Sequence, residues 1–277
     1  MNFLKSALII YLKKPLIIIY VAIATLVLTL VGFLNPLSSL VKLYSTFITD
    51  SITNTVIIIS KEIYKIGVIP YIALGVLVLS LMLAILSGVI YSGYFYIIFK
   101  SVKKIKPLKN DIITGIKKYF VKVSYVFFEF YFMIFGFLAL IPLILVPHIV
   151  ILNKAIENNS VTFFNNTLIA LVTGGVILLV ILLILVEFTF RMPSIFFFNK
   201  KPIEKSKLTL SMAYWTIFGR VALFLIVLIM IGYLILSINI PIIVAILNWI
   251  FGTIFFSLFS IYMFYDFMRV LNKLKKK

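Results

Sequence analysis

Between Arg220 and Asp266 the chain runs for 45 residues without a charge: VALFLIVLIMIGYLILSINIPIIVAILNWIFGTIFFSLFSIYMFY. As one helix this stretch would be about 67 Å long, twice the ~30 Å hydrocarbon core of a bilayer. It must fold back on itself. SINIP, 237–241, is its one turn-like point, which predicts two spans, about 216–236 and 242–265.

The same reasoning yields four more. Residues 15–41 and 66–99 are uncharged and hold spans at about 15–34 and 69–97. Pro15 suits a first helical position, where the missing N–H would have no intrahelical partner. A third span, about 123–146, is interrupted only by Glu129, with Pro142 and Pro147 marking its far end; the fourth covers about 167–190. Runs this continuously apolar argue against a barrel, whose strands alternate. Charged residues make up only 12% of the chain, against about 25% in soluble domains, so bilayer thickness sets the architecture. The expected fold is all-α: one polytopic membrane domain, 1–277, of six transmembrane helices with interfacial amphipathic helices. The opening MNFLKSALIIYLKK and the apolar run after it have signal-peptide character. That run is about 20 residues long, beyond the usual ~7–15, and no small-residue cleavage site follows, so it reads as a retained first span.

Lysine and arginine set the orientation. The first 14 residues carry three, 100–122 eight, 191–220 six and the stretch after 265 five, together 22 of 26 on one side. Lys42, Lys61, Lys65 and Lys154 fall on the other. Both termini are therefore expected on the cytoplasmic side of a cell membrane. The net charge of +18 does not point to nucleic acid, because the basic residues sit in short clusters beside apolar runs.

Three connecting segments have helical periodicity. In 37–66, apolar residues from Leu37 to Ile66 recur at steps of three and four, with polar residues between them. This reads as amphipathic helices in the outer interface or capping the bundle. In 107–120, Leu108, Ile112, Ile113, Ile116 and Tyr119 form one stripe, and Lys109, Lys117 and Lys118 the other. A third segment, 203–213, precedes the fifth span. Basic helices of this kind lie on an anionic inner leaflet. Lys103, Lys104, Lys106, Lys109, Lys117, Lys118, Lys200 and Lys201 are the candidate contacts to lipid headgroups. The outer loop 147–166 has two acceptor-type sequons, at Asn158 and Asn165.

The segments IKPLKNDIIT, 105–114, and KKPIEKSKLTL, 200–210, superpose at an offset of 95 residues. Pro107 meets Pro202, Thr114 meets Thr209 and Tyr119-Phe120 meets Tyr214-Trp215. Each precedes two spans, as does a short N-terminal segment, so the chain reads as a possible threefold repeat of helix plus hairpin. SGVIYSGYFYIIFKSVKKIKPLKNDIITGIKKYF, 87–120, and FTFRMPSIFFFNKKPIEKSKLTLSMAYW, 188–215, each join a span end, a basic link and a short helix. In these features the chain resembles a broad prokaryotic group of six-helix membrane proteins. That group includes the membrane domain attached to some glycerophosphodiester phosphodiesterases and the YciC-like proteins. The resemblance implies fold and membrane location, and no enzyme activity.

Catalytic signatures are missing. There is no cysteine, one histidine (His148), no HExxH, no GxSxG and no phosphate-binding Gly-rich loop. No lysine lies inside a span, where desolvation would make it a base. The chemistry-bearing residues are the charges in or beside spans, which usually face the bundle interior and pair. Glu129 and Arg220, at similar depths, are expected to meet. Glu187 with Arg191, and Asp266 with Arg269, are expected to pair along their own helices. Gly75, Gly88, Gly93, Gly174 and Gly175 mark close packing or flexibility, and Trp215 an interface. The chain is thus expected to be a structural, lipid-interacting or accessory membrane component without catalytic site, cofactor or metal. Its partners would be membrane lipids with anionic inner-leaflet headgroups, and a further membrane protein. The alternative is a small transporter or channel with a polar cavity open to the cytoplasm.

Overall fold

Apolar runs without charges become long helices because a helix satisfies every backbone group within its own segment. The structure, a computed structural model, describes residues 9–12, 15–33, 67, 69–108, 110–157, 162–198, 201–211, 213–238 and 240–274. Among these there is no strand. Seven helices follow in order: α1 Pro15–Phe33, α2 Ile69–Val102, α3 Asp111–Glu157, α4 Thr162–Phe197, α5 Pro202–Ser211, α6 Tyr214–Leu236 and α7 Pro241–Leu274. Five are long and apolar enough to cross a membrane: α2, α3 over Asp111–Leu140, α4 over Gly175–Phe197, α6 over Tyr214–Ile235 and α7 over Ile242–Lys273. The first expected span is α1, with 19 residues and Pro15 at its start. The amphipathic segment expected at 37–66 and the Asn158 sequon lie outside the described residues.

Two expectations are corrected. The 107–120 segment is not a separate helix, because α3 starts at Asp111 and runs unbroken for 47 residues. Pro142 and Pro147 do not end it: the helix continues to Glu157. Pro193, similarly, lies inside α4, which ends four residues later. Proline is tolerated within membrane helices where neighbouring groups and local adjustments satisfy the freed carbonyl. Thr173, Gly174 and Gly175 lie in continuous helix. The break between α6 and α7 and a short helix before the fifth span, α5, match the expectation.

The chain forms two compact units. One comprises 1–34, 84–127 and 185–277, the other 35–83 and 128–184, so α2, α3 and α4 each contribute to both. The first unit has an aromatic core. Tyr119 of α3 lies 4.5 Å from Phe196 of α4, ring centre to ring centre. Phe95 of α2 lies 5.6 Å from Phe264 of α7. Phe197 lies 5.0 Å from Phe99 and 5.3 Å from Phe267. Such tilted and edge-to-face pairs add about 0.5–1.5 kcal/mol each beyond their burial. α1 packs mainly against α7. The Thr25 and Thr253 hydroxyls are 2.8 Å apart, and Trp249 Nε1 donates to the Ala22 carbonyl at 2.8 Å. Tyr20 donates its hydroxyl proton to the Ile90 carbonyl and stacks on Tyr94, joining α1 to α2. In the second unit Phe128 stacks with Phe132, and Tyr131 with Phe135, along the middle of α3.

The link from α2 to α3 is tied at both ends. Lys104 N–H donates to Ser101 O at 3.0 Å and Ile105 N–H to Lys100 O at 2.8 Å, the paired bonds of a Schellman motif. The residue at the left-handed position is Lys104, φ 60°, where glycine is usual. A left-handed L-residue costs about 1–2 kcal/mol, and glycine's extra unfolded-state freedom takes back about 0.4–1. Lys104→Gly should therefore be neutral or stabilising by up to about 1 kcal/mol, and Lys104→Val destabilising. Thermal unfolding in detergent reads both; stabilisation by valine would contradict the motif. At the other end the Asp111 carboxylate takes the Lys100 ammonium at 2.6 Å and the Leu108 N–H at 2.5 Å. The second bond closes the turn from Leu108 to Asp111, the first residue of α3.

The 95-residue offset has a structural counterpart. α2 and α4 end 95 residues apart, at Val102 and Phe197. Thr114 donates to the Asn110 carbonyl and Thr209 to the Lys205 carbonyl, the same bond in register. Val126 and Val221, also in register, are both buried. The copies differ downstream: α3 runs straight into its span, whereas the second copy stops at Ser211 and restarts at Tyr214.

Candidate functional site

Arg220 stands on α6 five residues beyond Trp215, an indole 79% exposed at the start of that span. At 1.5 Å per residue this puts Arg220 about 7.5 Å deeper. Its Nη1 donates to Asp266 Oδ1 at 2.6 Å and reaches the Tyr262 hydroxyl at 3.4 Å. The Asp266 side chain is 4% exposed and that of Arg220 23%. Neither charge could be held at this depth alone, since a buried ion loses its hydration and must recover it from a partner.

This pairing differs from the expected one. Asp266 and Arg269 are i, i+3 neighbours on α7, but the Asp266 carboxylate goes across to α6. Glu129, half-buried on α3, belongs to the second compact unit. Glu187 and Arg191 do pair along α4, as their i, i+4 spacing predicts. Arg269 is half-buried on α7 and, among the described residues, has no acidic partner.

Beside the Arg220–Asp266 pair lies a cavity of about 410 Å³ between α6 and α7. Gly219, Leu223 and Val227 line it from α6, and Phe255, Leu258 and Tyr262 from α7. Apart from Arg220 and the Tyr262 hydroxyl the lining is hydrocarbon and aromatic ring. Gly219 contributes directly: a Cβ there would meet nothing within 4 Å, so the missing side chain is open space. Leu223 and Ile254, at its margin, are 60% and 41% exposed, so the cavity opens sideways on the apolar flank of the two helices. Phe224 packs against Phe255 at 5.9 Å and Tyr262 at 5.0 Å, which fixes its inner wall. Sequence reasoning found Arg220 and Asp266 but missed Gly219 and Tyr262. The available signal was positional, a glycine adjoining an intramembrane arginine and a tyrosine four residues before an intramembrane aspartate.

A second polar locus lies under α1. The Tyr94 hydroxyl faces Ser257 and Ser260, yet neither it nor the Ser257 hydroxyl has a hydrogen-bond partner of normal geometry among the described residues. These hydroxyls can orient a polar group. They bring no acid–base pair.

The candidate headgroup lysines sort by their surroundings. Lys103 Nζ stands 4.4 Å over the Phe99 ring and 5.4 Å from that of Phe197, and Lys118 Nζ 5.4 Å over Tyr119. Lys205, not singled out by sequence, stands 5.0 Å over Phe198. Lys201 pairs with Glu204 at 3.1 Å, but both side chains are more than two-thirds exposed, and such pairs contribute about 0–1 kcal/mol. Lys106 and Lys117 are exposed. Lys109 and Lys200 lie outside the described residues. No cluster of three or more His, Cys, Asp or Glu that could hold a metal occurs among the described residues. No protein-family model, curated protein or solved structure matches the chain.

Proposed function

We propose that this chain is a lipid-interacting, accessory component of the cell membrane, with both termini on the cytoplasmic side and no chemistry of its own. The α6–α7 cavity carries this reading. It lies within spanning helices, its lining is almost wholly apolar and it opens sideways, where a lipid chain can enter without leaving the hydrocarbon layer. A solute pathway needs polar groups along its length; the only charge lining this cavity is Arg220, already engaged by Asp266. Basic residues at the helix ends support the orientation, since ammonium groups held over aromatic rings stand at the level of anionic headgroups. The resemblance to the six-helix prokaryotic group accords with the membrane location.

Two measurements test the proposal. After gentle extraction and extended washing, the full chain should retain lipid at about one molecule per cavity, read by mass spectrometry of the intact complex. Protein that washes free of lipid would refute the role. A reporter fused to the C-terminus should be accessible only from the cytoplasm, and labelling from outside would reverse the orientation.

A further inference from the structure

The face of α7 that lines the apolar cavity continues beyond it. A second cavity, of about 230 Å³, is bounded by Tyr265, Met268, Arg269, Asn272 and Lys273. Phe255, Leu258, Tyr262, Tyr265, Arg269 and Lys273 succeed one another at steps of three and four, so they form one stripe along the helix. The stripe changes character along its length. From Phe251 to Tyr262 it is aromatic and aliphatic over about 16 Å, close to one leaflet of the ~30 Å hydrocarbon core. From Tyr265, beside the intramembrane Asp266, it runs outward toward the headgroups and bears a phenol, two cations and a carboxamide.

We propose that the two cavities are one site for an anionic glycerophospholipid of the leaflet on the basic side. An acyl chain lies between α6 and α7, and the headgroup phosphate lies between Arg269 and Lys273. This rests on the lipid-interacting reading above. Charge complementarity supplies the headgroup class. Arg269 and Lys273 are one helical turn apart, where like charges repel. Asp266, the acid closest to them in sequence, is committed to Arg220, and no other acid pairs with either cation among the described residues. A phosphate satisfies both, taking forked hydrogen bonds from the guanidinium and a point charge from the ammonium. The Asn272 amide and the Tyr265 hydroxyl add donors in the same cavity. The length of the apolar portion selects a lipid with a full leaflet-spanning chain, and the basic portion selects a net negative head over a zwitterionic one.

The test uses the full chain in nonionic detergent, titrated with phosphatidylglycerol or with phosphatidylcholine of the same chains, bound lipid being read by native mass spectrometry. The wild type should hold phosphatidylglycerol about tenfold or more tighter, as two nearby cations imply. Arg269→Gln with Lys273→Gln should abolish that preference, weakening phosphatidylglycerol binding far more than phosphatidylcholine binding. Gly219→Leu fills the apolar cavity, and Leu223→Trp fills it independently from an exposed position; both should weaken binding of either lipid. If the double glutamine variant keeps its preference, or the wild type shows none, the headgroup site is wrong and the apolar cavity still stands. If both filled variants bind the two lipids like the wild type, the cavity holds no chain and the lipid-interacting reading falls with it. A lipid-free dimer persisting in every variant would assign the face to a second copy of the chain and overturn the proposal.

Discussion

Arg220→Met should destabilise the protein by about 3–5 kcal/mol, because it leaves the Asp266 carboxylate buried without its counter-charge. The cost arises on Asp266, whose side chain is the more deeply buried of the two. Replacing both partners, Arg220→Met with Asp266→Leu, should recover most of the loss, since apolar side chains of similar volume fill the site without desolvating ions. The measurement is unfolding of the single and double variants in one detergent, as a double-mutant cycle. Simple additivity would show that the contact carries no coupling. The same variants separate stability from lipid retention: the double replacement keeps the α6–α7 cavity apolar, so it should still hold a lipid chain.

The second large effect is expected at Gly115. A glycine in a helix interior costs about 1 kcal/mol relative to alanine, so its presence in α3 needs a packing reason. The surroundings provide one. A Cβ on Gly115 would lie 2.7 Å from Tyr96 Cβ, 2.9 Å from Gly93 Cα and 3.0 Å from the Ser92 carbonyl oxygen. Two of these three are backbone atoms of α2. Gly93 is equally tight from the other side, where an added Cβ would meet Ile112 O at 2.8 Å. The helices thus cross backbone to backbone, as small residues permit in membranes. Gly115→Ala cannot be absorbed by a rotamer change, and it should cost about 3 kcal/mol, the upper end of the usual overpacking range. Gly232→Ala is the matched control, because a Cβ there meets nothing within 4 Å. It should be neutral or stabilise by up to about 1 kcal/mol on helix propensity alone. Thermal unfolding of the two variants side by side decides the matter, and a benign Gly115→Ala would remove the close crossing.

These two sites mark where the sequence was legible. Five of the six expected spans, and their approximate extent, followed from uncharged runs, because a fixed bilayer thickness converts length directly into number of passes. The turn before Pro241 was forced by the same arithmetic. Helix ends were read less well. Pro142, Pro147 and Pro193 act as breakers in water, but in apolar surroundings an interrupted ladder has no solvent to turn to, so the helices continue through them. Pairing along one helix was partly legible, since i, i+4 geometry is local, and Glu187 meets Arg191. Pairing between helices was not. Asp266 looked served by Arg269 three residues on, while its actual partner is 46 residues away, a distance that only the crossing of α6 and α7 closes. Gly115 was hidden for a different reason. It sits among lysines in a segment with the pattern of a surface helix, whereas its role comes from Gly93 and Ser92 on another helix.

The bond between the Thr25 and Thr253 hydroxyls has a consequence for how the protein is made. Its partners are 228 residues apart. At about 5–20 residues per second of synthesis, α1 emerges roughly 10–45 s before the α7 surface it packs against exists. During that interval α1 lacks its α7 surface and has only its Tyr20 contacts to α2. Thr25 is suited to the wait: its hydroxyl also donates to the Val21 carbonyl of its own helix at 2.8 Å, so it is never bare in lipid. The Trp249 indole has no such local recourse, and finds its acceptor, the Ala22 carbonyl, on the helix made first. The packing of α1 is therefore completed only when α7 is made.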